Sequence, residues 1–145
     1  MEEVIETKQL SINSNEFTIY KGNVKTKVIL QDMLEIEEEY KANQSEAQEL
    51  WAIFSNEQLE QYINNTIHEY QKREELINNI VNKAMRHNIS GVIIDFSKLN
   101  NYENFVKFVN ELMPRLREIG VTTGIKINEG IEEKDFLKTV DYIVK

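Results

Sequence analysis

The chain has 145 residues, with no cysteine, one proline, five glycines and two histidines. Without cysteine it can form neither a disulfide nor a thiolate metal site, and the redox compartment stays open. The histidines, His68 and His87, stand too far from other ligand-type residues to suggest a metal centre or a triad, and read as surface or helix-end residues. Glycines are scarce where a phosphate loop would need them: "GVTTGIKINEG" at 120–130 spans a strand instead of joining a strand to a helix. No cofactor and no metal are therefore expected. No apolar run approaches the length that crosses a bilayer, and the opening "MEEVIETKQL" lacks the basic-then-apolar plan of a secretory leader, so the chain reads as soluble. Positive charge is also in deficit. Seventeen Lys and Arg against 25 Asp and Glu leave a formal charge of -8, which repels nucleic acid and anionic membrane surfaces, and no local basic patch offsets it.

What the chain does have is alternation of strand and helix patterns. "FTIY" at 17–20 and "VKTKVILQ" at 24–31 read as strands about a turn at Lys21-Gly22-Asn23. Residues 32–49, "DMLEIEEEYKANQSEAQE", form the most acidic block, read as a solvated loop or helix face; the alternative is a docking face for a basic partner. "LWAIFSN" at 50–56 is an unbroken apolar run with a polar end, as in a strand buried on both faces. Leu76, Ile77, Ile80, Val81, Ala84 and Met85 recur at helical spacing and predict a helix over 73–87. "SGVIIDFS" at 90–97 is a second buried strand. Asn100 and Glu103 form a capping pair for a helix over 102–118, whose apolar stripe runs from Phe105 to Ile119 and which Gly120 stops. Pro114 lies inside that stripe and predicts a kink or a break. "VTTGIKIN", a short helix in "EEKDFLKTV" and "DYIVK" complete the order.

Strands near 51–54, 91–96, 121–127 and 141–144 should thus be parallel neighbours in that sequence, joined by helical crossovers. The fold class is α/β: a partial TIM (β/α)8-type barrel, or an open parallel sheet with helical crossovers. Residues 1–24 read as an N-terminal appendage to a domain of residues 25–145.

Ligands meet parallel sheets at the carboxyl ends of the strands. Here those ends carry Ser55 and Asn56, Asp95 and Ser97, and Lys126 and Asn128, a polar rim able to hydrogen-bond a hydroxylated ligand. The plainer reading is that polar residues end strands wherever they emerge into loops. Trp51 reads as core, and in a barrel its face would decide between packing and sugar stacking.

"LWAIFSN", "REELINNIVNKAMRHNISGVIIDFS", "NFVKFVNELMPRLREIGVTTGIKIN" and "TVDYIV", in that order, resemble the middle of a glycoside hydrolase family 18 domain of the bacterial cell-wall and spore-associated branch. The resemblance covers about residues 50–144. It includes the "SN" after the third barrel strand, an arginine opening the next helix (Arg73), and a helix reading Phe-φ-x-Glu-Leu-x-Pro from Phe108, which accounts for Pro114. It implies a TIM barrel and substrate-assisted cleavage beside N-acetylglucosamine, in which the protein supplies one carboxylic acid and groups that hold the acetamide. The family's fourth strand reads Asp-Gly-φ-x-φ-Asp-Phe-Glu. Here Ser90 stands at its first aspartate, Ile93 at its second acidic or amide position, Asp95 at the aspartate that orients the acetamide, and Ser97 at the catalytic glutamate. The sequence ends at Lys145, before the Met-x-Tyr-Asp that follows "VDYIV" in the family.

A serine hydroxyl cannot protonate a leaving sugar as a carboxylic acid does. The resemblance therefore implies a degenerate, non-catalytic domain that binds N-acetylglucosamine-containing glycans or serves as a scaffold. The alternative is a protein-interaction domain using the acidic 32–49 block. A hydrolase drawing its acid from Asp95 or Glu129 is the least favoured reading. Neither nucleic acid nor membrane is an expected partner. Part of a barrel exposes sheet edges, so either the N-terminal strands close the sheet or copies of the chain associate. The same resemblance suggests cell-wall or spore association if the chain belongs to a secreted parent.

Overall fold

The computed structural model describes residues 5–41, 47–57 and 66–145. Among the described residues seven strands make one sheet: β1 Lys8–Leu10, β2 Glu16–Lys21, β3 Val24–Asp32, β4 Gln48–Ser55, β5 Gly91–Asp95, β6 Thr122–Lys126 and β7 Tyr142–Val144. Their order is β1-β7-β6-β5-β4-β3-β2. Every pairing is parallel except that of β2 with β3, a hairpin turned at Gly22 with φ +60°. The four expected strands are β4 to β7, neighbours in the expected order. Residues 8–10 and 16–21, within the 1–24 stretch read as an appendage from sequence, supply the two edge strands of the same sheet. The sheet is open, in that no ladder joins β1 to β2.

Two helices serve as crossovers, α1 Tyr70–Arg86 and α2 Tyr102–Glu118. The N-cap of α2 is Asn101, whose side chain accepts from the Asn104 N–H at 3.1 Å; the capping pair expected at Asn100 lies one residue too early. Pro114 does not break α2, which runs continuously past it. Pro114 and Asn110, whose carbonyl loses its helical donor, are both exposed, so water can take the freed acceptor. The short helix expected in "EEKDFLKTV" is only a 3-10 turn, Glu133–Asp135. The acidic 32–49 block is not one element. Asp32 ends β3, a 3-10 turn spans Met33–Glu35, Gln48 and Glu49 open β4, and residues 42–46 lie outside the described residues.

Side chains alternate across the sheet, which separates two apolar layers. On the helix side, Ala52, Phe54, Val92, Ile94, Phe96 and Ile125 pack on Ile77, Ile80 and Val81 of α1 and on Phe105, Phe108 and Leu112 of α2. Phe96 lies at the centre, with ring centroids 5.7 Å from Phe54, 5.4 Å from Phe105 and 5.6 Å from Phe108. On the other side, Ile19, Val28, Trp51, Ile93 and Val144 form a second layer with Leu10, Phe17, Leu30, Ile53 and Tyr142.

That second layer exists because the sheet curls. In a flat sheet β4 and β7, three strand spacings apart, would stand about 14 Å from one another, yet the rings of Trp51 on β4 and Tyr142 on β7 approach to 5.8 Å between centroids. Phe17 of β2 meets Trp51 from the other side at 5.4 Å, edge to face. Chain length makes the same demand. Six spacings separate the edges, about 29 Å if flat, whereas the connection from Leu10 to Glu16 spans at most about 22 Å fully extended. The concave face of the curl is filled by its own side chains: Trp51 is wholly buried.

Candidate functional site at the strand ends

Register decides which rim residues can act together. Ser55 pairs with Asp95. One step beyond the Ile94–Ile125 pair, Asp95 comes beside Lys126, which pairs with Val144, itself paired with Leu10. Ser55, Asp95 and Lys126 share parity with Trp51, Ile93 and Gly124, so they face the concave side of the curl. All three are half-buried. The row therefore places a hydroxyl, a carboxylate and an ammonium side by side at the mouth, and no ion pair joins Lys126 to Asp95.

The other three rim residues fasten this mouth. Asn56 has the opposite parity, toward the helices, and is fully buried. Its amide bridges to the next strand end: Nδ2 donates to the Ser97 carbonyl at 2.8 Å, and Oδ1 accepts from the Ser97 N–H at 3.0 Å. This sequence-chosen ligand candidate is thus a clamp between the ends of β4 and β5, since a buried amide must have partners. Asn128 acts similarly between β6 and β5, donating through Nδ2 to Asp95 Oδ1 at 2.7 Å and to the Phe96 carbonyl at 2.8 Å. The Asp95 carboxylate is held before any ligand arrives. Ser55 Oγ accepts from the Glu57 N–H at 3.1 Å. Residues 58–65, which follow this rim, lie outside the described residues.

Trp51 belongs to the floor, not the rim. Its indole lies against Gly91, where a Cβ would come within 2.4 Å of the ring, and its Nε1 donates to Glu49 Oε1 at 3.0 Å. With no exposed face it cannot stack on a sugar. Behind the site, Arg73 of α1 makes two bonds to Glu111 of α2, Nε to Oε2 at 2.6 Å and Nη2 to Oε1 at 3.0 Å, and a third to the Ile67 carbonyl at 3.1 Å. The Glu111 carboxylate, by hydrogen bond and then by charge, holds the guanidinium above its ordinary pKa against the opposing effect of burial. This forked pair joins the two crossover helices. Sequence reasoning singled out Arg73 but missed its partner; the signal available was a Glu on the buried flank of the next helix. His68 meets the Asn104 side chain at 2.5 Å and His87 caps α1.

No protein-family model matches this chain, and no curated protein sequence does. Solved structures match it in shape. A class V chitinase from Pseudomonas fluorescens Pf-5 superposes with a TM-score of 0.60 at 20% identity, over 66% of this chain and 34% of its own. The fold is chitinase-like. A Bacillus subtilis protein described as a sporulation-specific glycosylase, YdhD, superposes with a TM-score of 0.52 at 17% identity, over 87% of this chain and 48% of its own. The chain thus spans about a third to a half of the length of these two proteins.

Proposed function

We propose that this chain is a non-catalytic glycoside hydrolase family 18-like domain that binds an N-acetylglucosamine-containing glycan at the mouth of its curled sheet. The observation that carries the reading is the composition of the strand-end row. Asp95 is its only carboxylate and is held by Asn128, and two residues on, where the family places its acid, stands Ser97. The backbone of Ser97 is fixed by Asn56 on both its N–H and its carbonyl. Absence of a general acid costs about a hundred- to ten-thousand-fold in rate. Hydroxyl, carboxylate and ammonium groups in one row suit the hydroxyls and the acetamide of a sugar, as donors and acceptors placed at strand ends suit ligands generally.

The test is paired. A fluorogenic chitotrioside is expected to give no release above buffer, while chitotetraose shifts the backbone amide resonances of Asp95, Ser97 and Lys126 in titration. Asp95→Ala should weaken that binding about tenfold, the effect of losing one hydrogen bond to a charged group. Reporter release by the native chain that Asp95→Ala abolishes overturns the non-catalytic reading. Silence of those resonances at millimolar sugar overturns the glycan reading.

A further inference from the structure

The curl fails to close between its two edge strands. β1 and β2 are both free edges, each paired on one side only, yet they line one cavity of about 500 Å3 at the amino ends of the parallel strands. Lys8 comes from β1, Ile19 and Lys21 from β2, Tyr142 from β7, and Arg117 from the end of α2. Eight strands are about what a barrel needs for its own side chains to fill the interior. Among the described residues this sheet has seven, and the cavity sits between its two edges.

The backbone of β2 is set to receive a strand there. The Leu30 N–H donates to the Asn15 carbonyl at 2.8 Å, so Asn15 and Leu30 are a hydrogen-bonded pair. Such pairs recur every second residue in an antiparallel ladder. Phe17, Ile19 and Lys21 therefore turn their backbone groups toward β3, and those of Glu16, Thr18 and Tyr20 point out of the free edge. Consistent with this, the Lys27 N–H turns the other way, to the Ala47 carbonyl at 2.9 Å. Tyr20 is 64% exposed.

The cavity's charges favour an acidic occupant. Lys21 is ion-paired with Glu49, and Arg117 donates to the Thr139 carbonyl and, among the described residues, to no carboxylate. Lys8 forms no side-chain ion pair among the described residues. Of the two acids in the lining, Asp141 has Oδ2 occupied by the Thr123 N–H at 2.8 Å and hydroxyl at 3.1 Å, and Glu6 is exposed. Ile5, Ile19, Val121 and Tyr142 give the remainder an apolar wall. We propose that the slot between β1 and β2 takes an extended peptide of a partner protein as an eighth strand. That strand pairs along the free edge of β2 and turns apolar side chains and one acidic side chain into the cavity beside Lys8 and Arg117. Strand addition of this kind draws affinity from main-chain bonds and specificity from alternate side chains.

The probe is a fluorescein-labelled peptide alternating valine and threonine, with one valine replaced by glutamate, titrated with the native chain and followed by anisotropy. Saturable binding is expected, weakened about tenfold when lysine replaces the glutamate, because like charges then face each other. Lys8→Glu should reverse that preference. Thr18→Pro removes an edge N–H without touching the ladder to β3 and should abolish binding, edge positions being where a sheet tolerates proline. Should Thr18→Pro fail to fold, amide exchange on the native chain serves instead: the peptide should slow Thr18 and Tyr20 and leave Phe17 and Ile19, already bonded to β3, unchanged. Absence of binding, or binding indifferent to the charge swap, overturns the proposal. So does protection of Thr18 and Tyr20 that rises with protein concentration alone, which would assign the edge to a second copy of the chain.

Discussion

Substituting Gly91 by alanine adds one methyl group at the tightest point of the concave layer. The new Cβ would fall 2.4 Å from Trp51 Cδ2 and 2.5 Å from Cε2 and Cγ, about an ångström inside ordinary carbon–carbon contact. The indole cannot easily retreat. It is wholly buried, flanked by Phe17 at 5.4 Å and Tyr142 at 5.8 Å, and tied through Nε1 to Glu49. The strain must then separate β4 from β5 or displace Phe17 and β2. Overpacking typically costs about 1–3 kcal/mol, and a rigid ring under a strand backbone puts this case at about 3 kcal/mol. For a chain of this size that lowers Tm by about 6–12 °C. Trp51 is the only tryptophan, so its fluorescence reports urea unfolding at the site itself. Trp51→Phe should relieve part of the strain, with the double variant, followed by far-UV circular dichroism because it lacks the tryptophan, more stable than additivity allows by about 1 kcal/mol. A Gly91→Ala protein within about 0.5 kcal/mol of the native chain, at unchanged urea dependence, would refute the close approach of indole to strand.

Glu111→Gln leaves a guanidinium whose side chain is only 8% exposed without its carboxylate. Breaking a buried pair costs about 3–5 kcal/mol, but Glu111 is 35% exposed and solvent screens it, so about 2 kcal/mol is expected from urea midpoints. Arg73→Lys should lose a similar amount, because an ammonium cannot make the forked contact. Tyr102 bears on pH dependence: burial first, then its hydrogen bond to Asp135, pushes its phenol up to about 12. The unfolded chain loses that proton near its ordinary value of about 10, so stability is fully present below about pH 10 and falls as pH rises toward 12. Tyr102→Phe should flatten that alkaline loss in thermal melts, and an unchanged slope would count against the assignment.

The order of elements was legible because "LWAIF", "VII" and "YIV" are unbroken apolar runs within β4, β5 and β7, and each helix carries one apolar stripe. β4, β5, β7 and both crossover helices follow from those two patterns alone. Asp95 and Ser97 were also legible, as the polar end of such a run. Parity was not: Ser55 faces the mouth while Asn56, the next residue, faces the helices, and only the register with β5 settles which is which. Nor could local pattern reveal that residues 8–10 and 16–21 belong to opposite edges of one sheet. Their short, half-polar runs look alike, and what separates them is the choice of partner, β7 for one and β3 for the other. A strand's apolar period is written in neighbouring residues. The curl that brings Trp51, Phe17 and Tyr142 together comes from contacts among three distant segments and from a connection too short to span a flat sheet, and that constraint exists only once the strands have paired.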